Sequence, residues 1–241
     1  MALGHAPTFA FDNILTFIDT LNPRCFDGNS ATMIDLFNQK SAIGTSLTSI
    51  SATQGISFGT DKNRIVATGS SFIDMSTGEY TKICWFNLDD VTTRQPLICG
   101  TDPRHYFWMN NTANLRMSHS GTRNASSPDG SLSSTAGTTS LSTGVWYFGA
   151  ATWKSILSPG GAIGNTGGKV YLNGRLDGIN PTLGLGFSST GRSYHIGSVP
   201  DPTISSPVLN GKISYVLVYN RVLSDQEILQ IYNATKKRYG L

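Results

Sequence analysis

A two-sheet, all-β antiparallel sandwich carrying one short C-terminal helix is what three features of this 241-residue chain point to. Charged residues make up only 14% while glycine alone contributes 26 residues, a balance that suits short strands joined by tight turns and disfavours helical bundles. About ten short segments alternate apolar and polar side chains at near-regular spacing, with no internal repeat. Only the last segment carries helix-start and helix-stop chemistry. A sandwich of this length is commonly one domain with its own core, so residues 1–14 read as an N-terminal extension and residues 15–241 as the domain.

Taken in order, residues 15–19 (LTFID) form the first short strand. Residues 21–38 hold Pro23, Gly28 and Asn29 and read as a structured loop. Residues 57–59 and 64–67 are further short strands, and residues 80–88 (YTKICWFNL) a stronger one, with Trp85 as a core anchor. Residues 96–99, 105–110 and 115–119 follow as a meander with polar turns between them. The Ser, Thr and Gly run at 120–144 has little to bury and reads as a long surface connection. Residues 146–153 (WYFGAATW) resume the sheet, with Trp146 a second structural tryptophan, and 155–168 is another exposed loop. Residues 169–172, the Asn173-Gly174 turn and Leu176 spell a two-residue hairpin. Residues 193–197 (SYHIG) and a Pro-rich turn lead into the last strand at 212–219.

The terminal segment carries its own punctuation. Ser224 can cap the first free amides while Glu227, three residues on, reaches back to the Ser224 amide. Leu223 and Ile228 can close over the entry as a hydrophobic staple, and Ile228, Ile231 and Tyr232 make one apolar stripe. Lys236, Lys237 and Arg238 fall at the negative end of the helix dipole, and Gly240 suits a left-handed stop.

The net charge of +3 has a local origin. From residue 210 onward five basic residues (Lys212, Arg221, Lys236, Lys237, Arg238) face two acids (Asp225, Glu227), which accounts for all of it. No basic stripe with interleaved aromatics accompanies them, so neither nucleic acid nor membrane insertion is expected. Cys25, Cys84 and Cys99 are widely spaced and odd in number, which indicates neither a disulfide framework nor a zinc site. Residues 1–11 (MALGHAPTFAF) lack a basic start and a continuous apolar run, so a signal peptide is not expected.

Residues 17–23 (FIDTLNP) with Phe26, Gly28 and Asp35-Leu36, followed in order by residues 83–86, 146–151, 170–174, 195–197 and 209–224, together resemble the laminin-G-like, concanavalin-A-like jelly-roll domains found in tailed-phage and other virion proteins. The most specific piece is the closing one, Gly-Lys-Ile, then Val-Tyr-Asn-Arg, Leu-Ser and Glu-Ile. The resemblance implies a jelly roll and a virion or surface context; the expectation taken from it is a capsid decoration, neck, tail or fibre component made in the host cytoplasm. The partners it implies are other virion proteins or a second copy of the chain. It implies no single activity.

Glycoside hydrolysis, the remote alternative, needs two carboxylates flanking the bond, and the chain has only two glutamates. Glu227 is absorbed by the helix cap and Glu79 reads as isolated in a turn, so no catalytic residue is expected. No G-x-S-x-G turn precedes a helix, and His5, His105, His119 and His195 are too dispersed for a metal motif. No cofactor is expected. Asp102, Asp177 and Asp201 in turns are the candidates for Ca²⁺, against the plainer role of bonding their own backbone. Residues 102–111 (DPRHYFWMNN) hold the densest mixture of aromatic and polar groups, which makes Asp102, Arg104, His105, Tyr106, Trp108 and Asn110 the candidate contacts for a surface polysaccharide. Strand alternation leaves either Tyr106 with Trp108 or Phe107 with Met109 outward. A structural virion role with glycan adhesion is the first functional expectation, and a carbohydrate-binding module the alternative.

Overall fold

A computed structural model describes residues 12–26, 32–37, 41–45, 49–51, 55–58, 64–67, 78–100, 104–120, 134–154, 167–181, 194–199 and 208–241. Its strands are β1 (Ile14–Asp19), β2 (Thr32–Ile34), β3 (Ser41–Thr45), β4 (Ser49–Ser51), β5 (Gly55–Phe58), β6 (Arg64–Ala67), β7 (Glu79–Leu88), β8 (Gln95–Gly100), β9 (Arg104–Met109), β10 (Leu115–Ser120), β11 (Ser134–Ala136), β12 (Trp146–Lys154), β13 (Gly167–Leu172), β14 (Arg175–Asn180), β15 (Tyr194–Ile196) and β16 (Gly211–Tyr219). One sheet runs β14-β13-β12-β7-β16-β5-β4, with β1 also paired to β16. The other runs β11-β10-β9-β8-β15-β6-β3-β2. The pairings are antiparallel, and helix α1 (Asp225–Thr235) packs on the outside of the first sheet.

The period-2 pattern of β7 shows how the layers arise. Tyr80, Cys84, Phe86 and Leu88 point between the sheets, where they join Ile98, Phe107, Met109, Leu115 and Met117. Ile83 and Trp85 point the other way, under α1, with Phe148, Tyr171, Tyr215, Leu217, Leu223, Ile228 and Ile231. Each fully buried large side chain contributes roughly 1.5–3 kcal/mol by leaving water, so both layers stabilise the sheet that separates them. Trp85 does anchor the core, but the outer one: its indole donates to Thr235 Oγ1 at 2.8 Å and its ring stacks on Tyr239 at 4.0 Å. Trp146 packs half-buried against the same Tyr239, at 5.0 Å between centroids.

The terminal segment folds as its punctuation indicates. Ser224 Oγ accepts from the Glu227 amide at 3.2 Å while the Ser224 amide donates to Glu227 Oε2 at 2.8 Å, a reciprocal cap. Lys236–Tyr239 continue as a 3-10 turn ended by Gly240 at φ 77. Arg238 grips Asp19 through two 2.9 Å bonds, which ties the C-terminus to β1.

Two expectations are corrected. The strands outnumber the ten or so anticipated, because β2 (TMI), β3 (SAIGT), β4 (SIS) and β11 (STA) are too short to show a period of their own; pairing with β3, β6, β5 and β10 respectively makes them strands. Nor is 120–144 only a surface connection: Thr135 is buried and its hydroxyl donates to Gly168 O at 3.1 Å, and Leu141 is buried in the main core. Residues 155–166, the greater part of the other expected loop, lie outside the described residues.

Candidate functional site

Strand β9 carries the densest candidate cluster. His105, Phe107 and Met109 point inward, so Tyr106 and Trp108 take the outer face, one of the two alternatives alternation allows. They are not open, however: Tyr106 is 5% and Trp108 4% exposed, packed with Cys99 and Val199 in a small separate cluster. The Arg94 guanidinium lies 5.0 Å over the Trp108 ring, and the indole Nε1 is buried without a partner. Asn110 is spent on the β9–β10 hairpin, its Oδ1 accepting from the Thr112 amide and hydroxyl and the Asn114 amide at 2.8–3.1 Å. Arg104 opens β9, and Asp102 and Asp201 lie outside the described residues. Asp177 Oδ1 accepts from the Thr138 hydroxyl and from the Thr139 amide and hydroxyl, and so closes the edges of the two sheets. His195 lies 3.2 Å from the Ser198 hydroxyl. Among the described residues no three His, Cys, Asp or Glu side chains gather where a metal ion could bind.

The structure assembles two polar sites that the sequence does not announce, on opposite faces of β7. Between the sheets, Lys82 is 1% exposed and its Nζ contacts Ile98 O at 3.1 Å, His105 O at 2.6 Å and His105 Nδ1 at 2.7 Å. Its bonds go to two carbonyls and an imidazole, none to a carboxylate. Burial therefore brings the amine down to about 7. Burial, with Lys82 and His119 nearby, likewise drives His105 well below the usual imidazole range. Aromatic rings seal the cluster: Tyr80 OH lies 3.3 Å from His119 Nδ1, and His119 stacks on Trp153 at 3.5 Å. Gly100 has no room for a side chain, since a Cβ there would sit 1.7 Å from the His105 ring.

The second site is open. On the outer face of the same sheet the register sets Thr81, Thr152, Lys169 and Ile179 in one row across β7, β12, β13 and β14, with Glu79 opposite Lys154 in the next. Thr81 fixes the wall beside that row: its hydroxyl donates to Arg221 O at 2.8 Å and accepts from the Leu223 amide at 2.9 Å, so residues 222–224 and the start of α1 stand over the floor. The result is a groove of about 360 Å³ whose lining includes both glutamates of the chain. Glu79, expected to stand alone in a turn, instead starts a strand and pairs with Lys154 at 3.3 Å.

Every acid here is neutralised. Glu227 takes two bonds from Arg221, at 2.7 and 3.3 Å, besides those of the cap, and Arg221 first among them holds its carboxyl down to about 2. The Tyr171 hydroxyl, at 2.7 Å, and after it Lys169, at 3.2 Å, donate to Asp225 Oδ1 and keep that carboxyl below its usual range. Gly167 closes the rim at φ 99, where a Cβ would meet Asn180 O at 2.2 Å.

The sequence profile described as concanavalin A-like lectin/glucanases superfamily matches residues 58–229. No curated protein sequence matches the chain. Among solved structures, Trypanosoma rangeli sialidase in complex with 2,3-difluorosialic acid superimposes with a TM-score of 0.65 at 13% identity, over 95% of this chain and 34% of that one. The same sialidase with sialic acid gives 0.64 at 13%, over 95% and 34%. The botulinum neurotoxin serotype C1 binding domain gives 0.62 at 14% identity, over 92% and 52%. The chain thus spans about a third of the sialidase and half of the toxin domain, and at these identities the likeness is one of fold.

Proposed function

The chain belongs to the concanavalin A-like lectin/glucanases superfamily, and on that premise we propose that it works by binding and not by hydrolysis, as a jelly-roll component of a phage virion. In this reading it contacts other virion proteins and holds a surface polysaccharide. The observation that carries the non-catalytic part is the condition of the two glutamates. Hydrolysis of a glycosidic bond needs one carboxyl protonated as the acid and another free as base or nucleophile. Glu227 is held ionised by Arg221 and by the Ser224 cap, and Glu79 is taken up in an ion pair with Lys154. Both are committed to holding structure in place around a groove. The virion context is supported by the order of motifs from residue 17 to residue 224.

Two measurements test the reading. Incubation with polysaccharides that the chain retains on an affinity gel is expected to release no reducing ends between pH 4 and 8; release abolished by Glu79→Gln would make it a hydrolase. Mass spectrometry of purified particles is expected to find the chain at fixed stoichiometry, and its absence from particles would remove the virion role.

A further inference from the structure

We propose that the groove beside the helix start is the glycan site, and that its ligand is a neutral polyhydroxylated sugar chain and not an acidic one; the inference rests on the binding reading above. Charge balance is the first reason. The lining carries Lys154 and Lys169 against Glu79 and Glu227; Lys154 pairs with Glu79 and Lys169 with the neighbouring Asp225, while Arg221 beside the groove pairs with Glu227 and Asp12. An acidic sugar therefore finds no excess of positive charge and must compete with carboxylates already paired to the lysines.

Hydrogen-bond valence is the second reason. Lys154 and Lys169 each spend one bond on an acid, at 3.3 and 3.2 Å, and an ammonium has three protons to give. Donors beside carboxylate acceptors suit hydroxyl groups, which donate and accept at the same oxygen. Shape is the third. Ile179, 57% exposed, and the exposed Pro181 form an apolar ledge next to the lysines, suited to the C–H face of a pyranose. The volume, about 360 Å³, lies toward the low end of the roughly 300–1,000 Å³ of small-molecule sites and fits a short stretch of sugar units.

The test is calorimetric titration of the whole chain with neutral malto-, cello- and manno-oligosaccharides and with acidic sialyllactose and oligogalacturonate. A neutral oligosaccharide is expected to bind at least about tenfold more tightly than either acid. Lys169→Met and Ile179→Ser are expected to weaken it about tenfold each, Lys169→Arg to restore it, and Leu229→Ser, exposed on α1 and outside the groove lining, to leave it unchanged. Unshifted melting temperatures would verify that the variants fold. Preference for the acidic sugars overturns the ligand class. Undiminished binding by both groove variants overturns the site while leaving the binding reading intact, and failure to bind any carbohydrate overturns both.

Discussion

Strand β7 separates two ways of placing charge in a protein. On its inner face Lys82 is an amine with no acid beside it, sealed by rings and held by carbonyls; on its outer face Glu79, with Asp225 and Glu227 of the helix start, borders a groove in which each acid is matched by a cation at the edge of water. A buried cation is tolerated by shedding its proton, whereas an exposed pair keeps its charges and gains little stability from them. The inner site should therefore govern folding and the outer one recognition.

The sharpest way to break this contrast is to remove one lysine from each face. Lys82→Ala opens a cavity and strands His105 and two carbonyls, so a loss of about 2–5 kcal/mol is expected in urea unfolding. Lys154→Ala should cost less than about 1 kcal/mol. Equal losses would dissolve the distinction.

The next effect is on pH. With its folded value brought from the ordinary 10.5 to about 7, Lys82 is deprotonated in the folded chain above pH 7 while the unfolded chain keeps that proton until about 10.5. The unfolded state then binds more protons, so stability rises with pH, by up to about 1.4 kcal/mol per unit. The buried thiols work against it from about pH 9, since Cys25 is pushed up to about 11 and Cys99 to about 12 while unfolded thiols ionise. Unfolding followed from pH 7 to 8.5 should show the rise in the wild type and a flat line in Lys82→Met.

Smallest is the outer carboxylate. Glu227→Gln removes the Arg221 bonds and weakens the cap, for an expected loss on the order of 1 kcal/mol. Because its folded value is depressed to about 2 from 4.5, this stabilisation is present above pH 4.5 and fades as pH falls toward 2, where mutant and wild type should converge.

These two sites also mark how far the sequence can be read. The jelly roll and the helix cap were legible because apolar alternation and the Ser224–Glu227 spacing are local signals. The outward turn of Tyr106 and Trp108 was legible as an alternative, but not their covering by Val199, which comes from a distant segment. Lys82 passed as an ordinary lysine in YTKICWF, since nothing local says which face of β7 is dry. The groove was hidden for a related reason: it joins residues 79, 154 and 169 only through strand register, and residue 227 only through the Thr81 bonds that hold the start of α1 over them. A cross-strand cation opposite a lone glutamate is invisible until the pairing is known.

One titration tests the division between the faces most directly: ¹H–¹⁵N correlation spectra of the labelled chain with a neutral oligosaccharide added. Saturable shifts at the amides of Thr152, Lys169, Ile179 and Ser224, with Lys82 and His105 still, are the predicted result. Shifts centred on Tyr106 and Trp108, or none at saturating sugar, would contradict it.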